Sequence, residues 1–240
     1  MAVSVDTVYQ RVLALANKEQ RGYITPQEFN LFANQAQMDI FEQYFYDLNQ
    51  FRRLPGNNTE YADMVDILNE KIDFFSASSS LTSIAATPNN IYPLPADHYR
   101  TIRVGVNTNQ YGGPDQASEI EKLTYKEFLN TRNSPLTKHT LARPVYYQKD
   151  VRLIVNPTDI VNGITIYYIK QPTKVKWSSY TIGAGETYDS TNSVDFELHP
   201  SEETKLVIKI LGLAGITLKD PGLYQIAGAE DNKNIQQEKQ

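Results

Sequence analysis

Ile91-Tyr-Pro-Leu-Pro-Ala-Asp97, Pro144-Val-Tyr-Tyr147 and Ile164-Thr-Ile-Tyr-Tyr-Ile-Lys-Gln-Pro172 are three proline-punctuated, tyrosine-rich strand signals set between two helical ends. Around them the hydrophobic period is close to 2. Ile102, Val104 and Val106 alternate within 99–107, and Val151, Leu153 and Val155 alternate within 151–156. Pro144 to Tyr147, a Lys149-Asp150 turn and Val151 to Val155 read as a hairpin, with Ile164 to Lys170 as the next strand. Lys174 to Trp177 reads as a fourth strand or an extension of it. Thr124-Tyr-Lys-Glu127 is a capping box that opens a short helix through Phe128 and Leu129. Ser76 to Asn90, rich in Ser, Thr, Ala and Asn, reads as a connection. Residues 107–117, with Tyr111-Gly-Gly-Pro114, and 178–193, with Gly183-Ala-Gly185, read as long loops suited to be contact arms.

Outward from this region the period lengthens to that of helices. Val5, Val8, Tyr9, Val12 and Ala16 mark a first helix from Val5 to Asn17. Thr25-Pro-Gln-Glu28 supplies an N-cap, a first-turn proline and a capping-box glutamate for a second. Its apolar stripe runs through Phe29, Phe32, Ala33, Ala36, Ile40, Tyr44, Leu48 and Phe51, and its other face, including Asn30, Asn34 and Gln37, is amide or acid. Tyr61, Met64, Val65, Leu68, Ile72 and Phe75 mark a third helix. Pro200-Ser-Glu-Glu203 opens a last one, where Leu206, Val207, Ile210, Leu211, Leu213, Ala214 and Leu218 are apolar enough to pack on two sides. Gly212 and Gly215 within it point to close approach of a neighbouring backbone. The expected fold is therefore α+β: a helical bundle built from both chain ends (1–80 and 195–240) with an inserted small antiparallel β domain (81–194), a sandwich or partial barrel.

The composition narrows the functional class. With no cysteine, disulfides, thiolate metal sites and cysteine nucleophiles are excluded, which fits a reducing cytoplasm. A mean hydropathy of -0.46 argues against a membrane span, and the first residues carry no secretory pattern. A net charge of -5 disfavours a protein built to grip nucleic acid, since phosphate contacts need a concentrated positive face. The 16 tyrosines stand against one tryptophan, and tyrosine suits surfaces wet before assembly and buried after it.

No catalytic, cofactor or metal constellation is visible. His98, His139 and His199 are far apart in sequence and outside any metal-spacing motif, with His199 fitting a helix-cap role. Glu202-Glu203 and Glu230-Asp231 fit helix-end electrostatics better than acid–base catalysis. Gly112-Gly113 and Gly183-x-Gly185 lack the following lysine of a phosphate loop. Lys170, Lys174 and Lys176 beside Tyr167, Tyr168 and Trp177 fit a solvated strand face better than a single-strand nucleic-acid platform. The chain reads as a structural part and not an enzyme.

Four features together resemble the head-to-tail adaptor and ring proteins of short-tailed bacteriophages, the tail-tubular-protein-A type, including connector proteins of crAss-like phages. They are the N-terminal helices ending in Tyr44 to Phe51, and Tyr92-Pro-Leu-Pro-Ala-Asp97 followed by Arg100 to Val106. Pro144-Val-Tyr-Tyr147 with Leu153 to Pro157 and Ile166 to Pro172 is the third, and Asp195-Phe-Glu-Leu-His-Pro200 leading into the last helix is the fourth. The resemblance implies a virion component made in the host cytoplasm, a homo-oligomeric ring, typically dodecameric, that joins portal to neighbouring tail or ring proteins. Genomic DNA would pass through it without sequence recognition, and an acidic lumen would let it slide. The alternative is another tail part, a fibre-attachment or tail-hub subunit. On either reading the function lies in contacts, and the candidate interface residues are Tyr111, Gly113, Tyr146, Tyr147, Tyr180, Tyr188, Leu223, Tyr224 and Ile235.

Overall fold

The structure, a computed structural model, describes residues 3–18, 24–51, 64–84, 90–107, 117–160, 162–182, 185–217 and 229. The fold is α+β, with N-terminal and C-terminal helices packed together and β-sheets inserted between them in sequence. Two compact units result: 1–74 with 172–240, and 75–171. The boundaries thus fall at 74/75 and 171/172 instead of 80/81 and 194/195. Ser76 to Leu81 joins the β unit as a strand, and the whole of 172–194 stays with the helices.

In the helical unit, α1 (Val5–Lys18), α2 (Pro26–Phe51) and α3 (Met64–Asp73) precede the insertion, and α5 (Glu203–Thr217) follows a 3-10 turn at Pro200–Glu202. The α2 capping box forms as read. Glu28 Oε2 accepts from the Thr25 backbone N at 3.0 Å, and Thr25 Oγ1 accepts from Glu28 N at 3.3 Å. Helix α5 packs on both α1 and α2, with Leu206, Val207, Ile210, Leu211 and Ala214 buried and Leu213 only half-buried. On α2 the buried stripe is Phe29, Ala33, Ala36, Ile40, Phe41 and Tyr44, while Leu31 lies 71% exposed.

The amides of α2 have a definite task. Asn30 exchanges two hydrogen bonds with the backbone of Trp177, accepting from its N at 2.7 Å and donating to its O at 3.0 Å. One turn on, Asn34 does the same with Val175, at 2.8 and 2.9 Å. Gln37 donates to Thr173 O at 2.8 Å and accepts from Glu197 N. Three side chains at helical spacing therefore act as one strand edge for the extended segment 173–177. That segment's other edge bridges at Lys176 to Val194. A buried backbone needs every N–H and C=O satisfied, and here helix side chains supply what a sheet would. The hairpin β9 (Ser179–Ile182) and β10 (Gly185–Tyr188) follows, where a loop was expected.

The β unit holds two four-stranded sheets. One has the order β1 (Ser76–Leu81), β8 (Ile164–Lys170), β3 (His98–Asn107), β4 (Ala117–Glu119). The other has β2 (Ile91–Pro93), β7 (Arg152–Asn156), β6 (Val145–Lys149), β5 (Glu121–Lys122). All pairings are antiparallel except β5 with β6, so the domain is mixed and not purely antiparallel. Both sheets contribute to one core that includes Tyr92, Val104, Val106, Leu153, Val155, Ile164 and Ile166, which is the arrangement of a sandwich. The chain crosses between the sheets at buried Ile120, whose N donates to Val104 O at 2.9 Å.

Two details depart from the simple alternation. Ile102 is 55% exposed although Val104 and Val106 are buried, because the register shifts between Thr101 and Arg103. A one-residue slip turns the earlier side chain to the opposite face. Val151 is exposed and belongs to the β6–β7 turn, where Asp150 takes a φ of 52°, a conformation Asp tolerates better than most residues. The short helix α4 (Tyr125–Asn133) carries its capping box, with Thr124 and Glu127 bonded reciprocally.

Candidate interaction surfaces

The nine candidate interface residues divide by position. Tyr111, Gly113, Leu223, Tyr224 and Ile235 lie outside the described residues. Tyr146 is 3% exposed and belongs to the sandwich core, so its ring is not a surface feature of the free chain; burial pushes its phenol up from the ordinary 10.0. The strand period explains the difference between neighbours: Tyr146 faces the core and Tyr147 the outside of the same sheet.

On that outer side Tyr147 meets α4. Its ring lies 4.4 Å from Phe128 and 5.4 Å from Tyr125, and His139 stacks on Phe128 at 5.4 Å. Tyr125 remains 60% exposed, and in the connection after α4 Leu136 is 95% exposed. A cleft of about 640 Å³ opens beside these rings, lined by Phe128, Arg132, Lys138, His139, Leu141 and Asn156 among others. Burial, with the positive charges of Arg132 and Lys138, holds the His139 imidazole below its ordinary 6.5, so at neutral pH it is an uncharged aromatic surface. The rim carries both signs of charge, Arg132 and Lys138 with Asp159, beside aliphatic Leu141 and Ile154.

Tyr180 and Tyr188 both lie on the β9–β10 hairpin. Its base is anchored in the helical unit: Tyr188 stacks on Trp177 at 6.0 Å, Trp177 packs on Tyr9 at 4.3 Å, and the indole Nε1 donates to Asp6 Oδ1 at 3.1 Å. Asp189 closes the base by accepting from Thr191 N and Asn192 Nδ2, which holds its carboxyl below the usual range. Tyr180 itself is 47% exposed. The hairpin's regular pairing was legible only in Ser-Tyr-Thr-Ile and Thr-Tyr, outweighed by the glycines between them.

The remaining candidates resolve into local roles. His199 caps the turn at Pro200, its Nδ1 accepting from Ser201 N. His98 bonds Thr101 Oγ1 at 2.9 Å. Glu202 is buried and bonded to Lys71 Nζ at 2.6 Å, a tertiary ion pair linking α3 to the start of α5 that sequence reasoning did not find. Trp177 and Tyr168 are buried, so neither offers a stacking face beside the lysines. Among the described residues no group of three His, Cys, Asp or Glu side chains is placed to hold a metal ion, and no helix is long and apolar enough to cross a membrane.

No protein-family model matches the chain, and no curated protein matches it.

Proposed function

We propose that this chain is a structural virion subunit that forms a head-to-tail connector ring between portal and tail in a short-tailed phage. The observation that carries the reading is the architecture: helices from both chain ends pack together in one unit, and a β-sandwich unit is inserted between them in the sequence. The resemblance to the adaptor family rests on the sequence features at the α2 end, the three strand signals and the entry of α5. Tyr125, Leu136 and Tyr180 are exposed and available to a partner in such an assembly. Acidic net charge suits a conduit, because a wall of like charge does not hold DNA through counterion release. In this role the portal, tail proteins and further copies of the chain are its partners, and the chemistry it performs is binding alone.

Immunogold electron microscopy on gently disrupted virions tests the reading. Gold at the single vertex joining capsid and tail is the expected result. Gold on peripheral fibres would transfer the chain to a fibre-attachment role, and its absence from particles would remove it from the virion.

A further inference from the structure

Sheet edges present unpaired N–H and C=O groups, and proteins that avoid unwanted pairing blunt them with charge, proline or very short strands. The described residues contain six edge strands: β1 and β4, β2 and β5, β9 and β10. Four are blunted. β2 ends in Pro93, β4 carries Glu119, β5 is the charged pair Glu121-Lys122, and β10 carries Glu186. The other two are not: β1 is Ser-Ala-Ser-Ser-Ser-Leu and β9 is Ser-Tyr-Thr-Ile, without charge or proline. Ser76, Ser78 and Ser80 of β1 are exposed, and so is Tyr180 of β9.

We infer that β9 of one copy adds to the edge of β1 that no described strand pairs in a second copy. The β9–β10 hairpin is two-stranded, so β9 keeps one edge that no described strand pairs and that can take a further strand. The hairpin is presented by an anchored base at Trp177 and Tyr188, so its ordering is largely complete before docking. On the other side, β1 ends a four-stranded sheet whose core is already filled, and its small side chains leave the backbone open to an incoming strand. The partner is a second copy because this chain itself presents both halves of the contact, β9 and β1, the two described edge strands without charge or proline. Since β1 and β9 differ, the contact is head-to-tail, and repetition closes a ring or extends a filament. Backbone pairing supplies the affinity and Tyr180 the side-chain contact. This inference deepens the connector reading, on which it rests for closure into a ring.

The chain has no cysteine, so engineered thiols report the contact without background. Chains carrying S78C and chains carrying Y180C are mixed at high concentration and treated with a short bis-maleimide. The expected result is a covalent dimer in the mixture and none from either variant alone. In sedimentation velocity, Ser78→Lys and Tyr180→Lys should each return the assembled chain to monomer with unchanged circular dichroism, as both positions are exposed. Dimers from S78C alone would show a twofold β1–β1 contact and overturn the inference. No mixed dimer, or a chain that is monomeric at every concentration, would overturn it as well. These outcomes are independent of where gold labels the particle, so contact and location can fail separately.

Discussion

Asn34 shows how much one side chain carries. It satisfies both backbone groups of Val175, which is 2% exposed and has no water to turn to. Asn34→Asp keeps the acceptor and loses the donor, leaving the Val175 carbonyl unpaired beside a carboxylate, and should lower stability by about 1–3 kcal/mol in urea denaturation. The helical pattern in the sequence marked the face of α2 that holds Asn30, Asn34 and Gln37 as polar but did not say what it bonded. Its partner segment is some 140 residues away in the chain, and periodicity carries no information at that range. Lys71 is a second such residue: Lys71→Met strands buried Glu202 without its counter-charge and should cost about 3–5 kcal/mol, measured in the same way. The titrating residues give a pH dependence with two windows. Burial lowers the folded-state pKa of both His98, where Asp97 opposes and Lys122 assists, and His139, beside Arg132 and Lys138. The unfolded chain then binds more protons as pH falls below about 6.5, so stability should decline there. Glu28 and Glu127 are also lowered, by their bonds to Thr25 and Thr124, and their contribution is present above 4.5 and lost further into acid. The double variant His98→Gln, His139→Gln should flatten urea midpoints in the upper window and leave the lower one.

At the scale of elements, what was legible follows from local signals. The capping boxes at Thr25 and Thr124, strand β8 and the cap at His199 stand where their residues placed them. Elements defined by a distant partner were not legible. Strand β1 is four serines, one alanine and one leucine, a sequence with little strand preference, and it is a strand because β8 pairs along all of it. The bulge in β3 hid in plain alternation, so Ile102 was grouped with Val104 although they face opposite ways. Helix α5 illustrates the other limit: its composition predicts burial all round, yet Leu213 is half-buried and Leu206 and Ile210 are fully so. Leu206→Asp should therefore prevent folding of the helical unit by burying an unpaired charge, whereas Leu213→Asp should be the milder change, as read by soluble expression and thermal unfolding. Ile210→Ala should cost about 2–5 kcal/mol.

At the scale of the whole molecule, the proposed role is carried by contacts. The exposed ring of Tyr125, an anchored hairpin with exposed Tyr180 and two unblunted sheet edges are surfaces a partner can cover. An acidic chain of this kind should show only weak, salt-sensitive association with duplex DNA and no sequence preference, which electrophoretic mobility shifts across a salt series would check. The class of fold was open to reading because it depends on where the period changes from 3.6 to 2. Edge and face are less open to reading, because they are decided by pairing: Tyr146 lies in the core, Tyr147 against α4, and Tyr180 and Tyr188 on the hairpin. Cryo-electron microscopy of the head-to-tail vertex is the most direct test of the central claim. The account predicts annular density around the DNA axis, fitted by repeated copies of the helical unit and the β-sandwich, with neighbouring copies joined through strand pairing. Density for this chain on peripheral fibres, or a vertex ring built without it, would contradict the account.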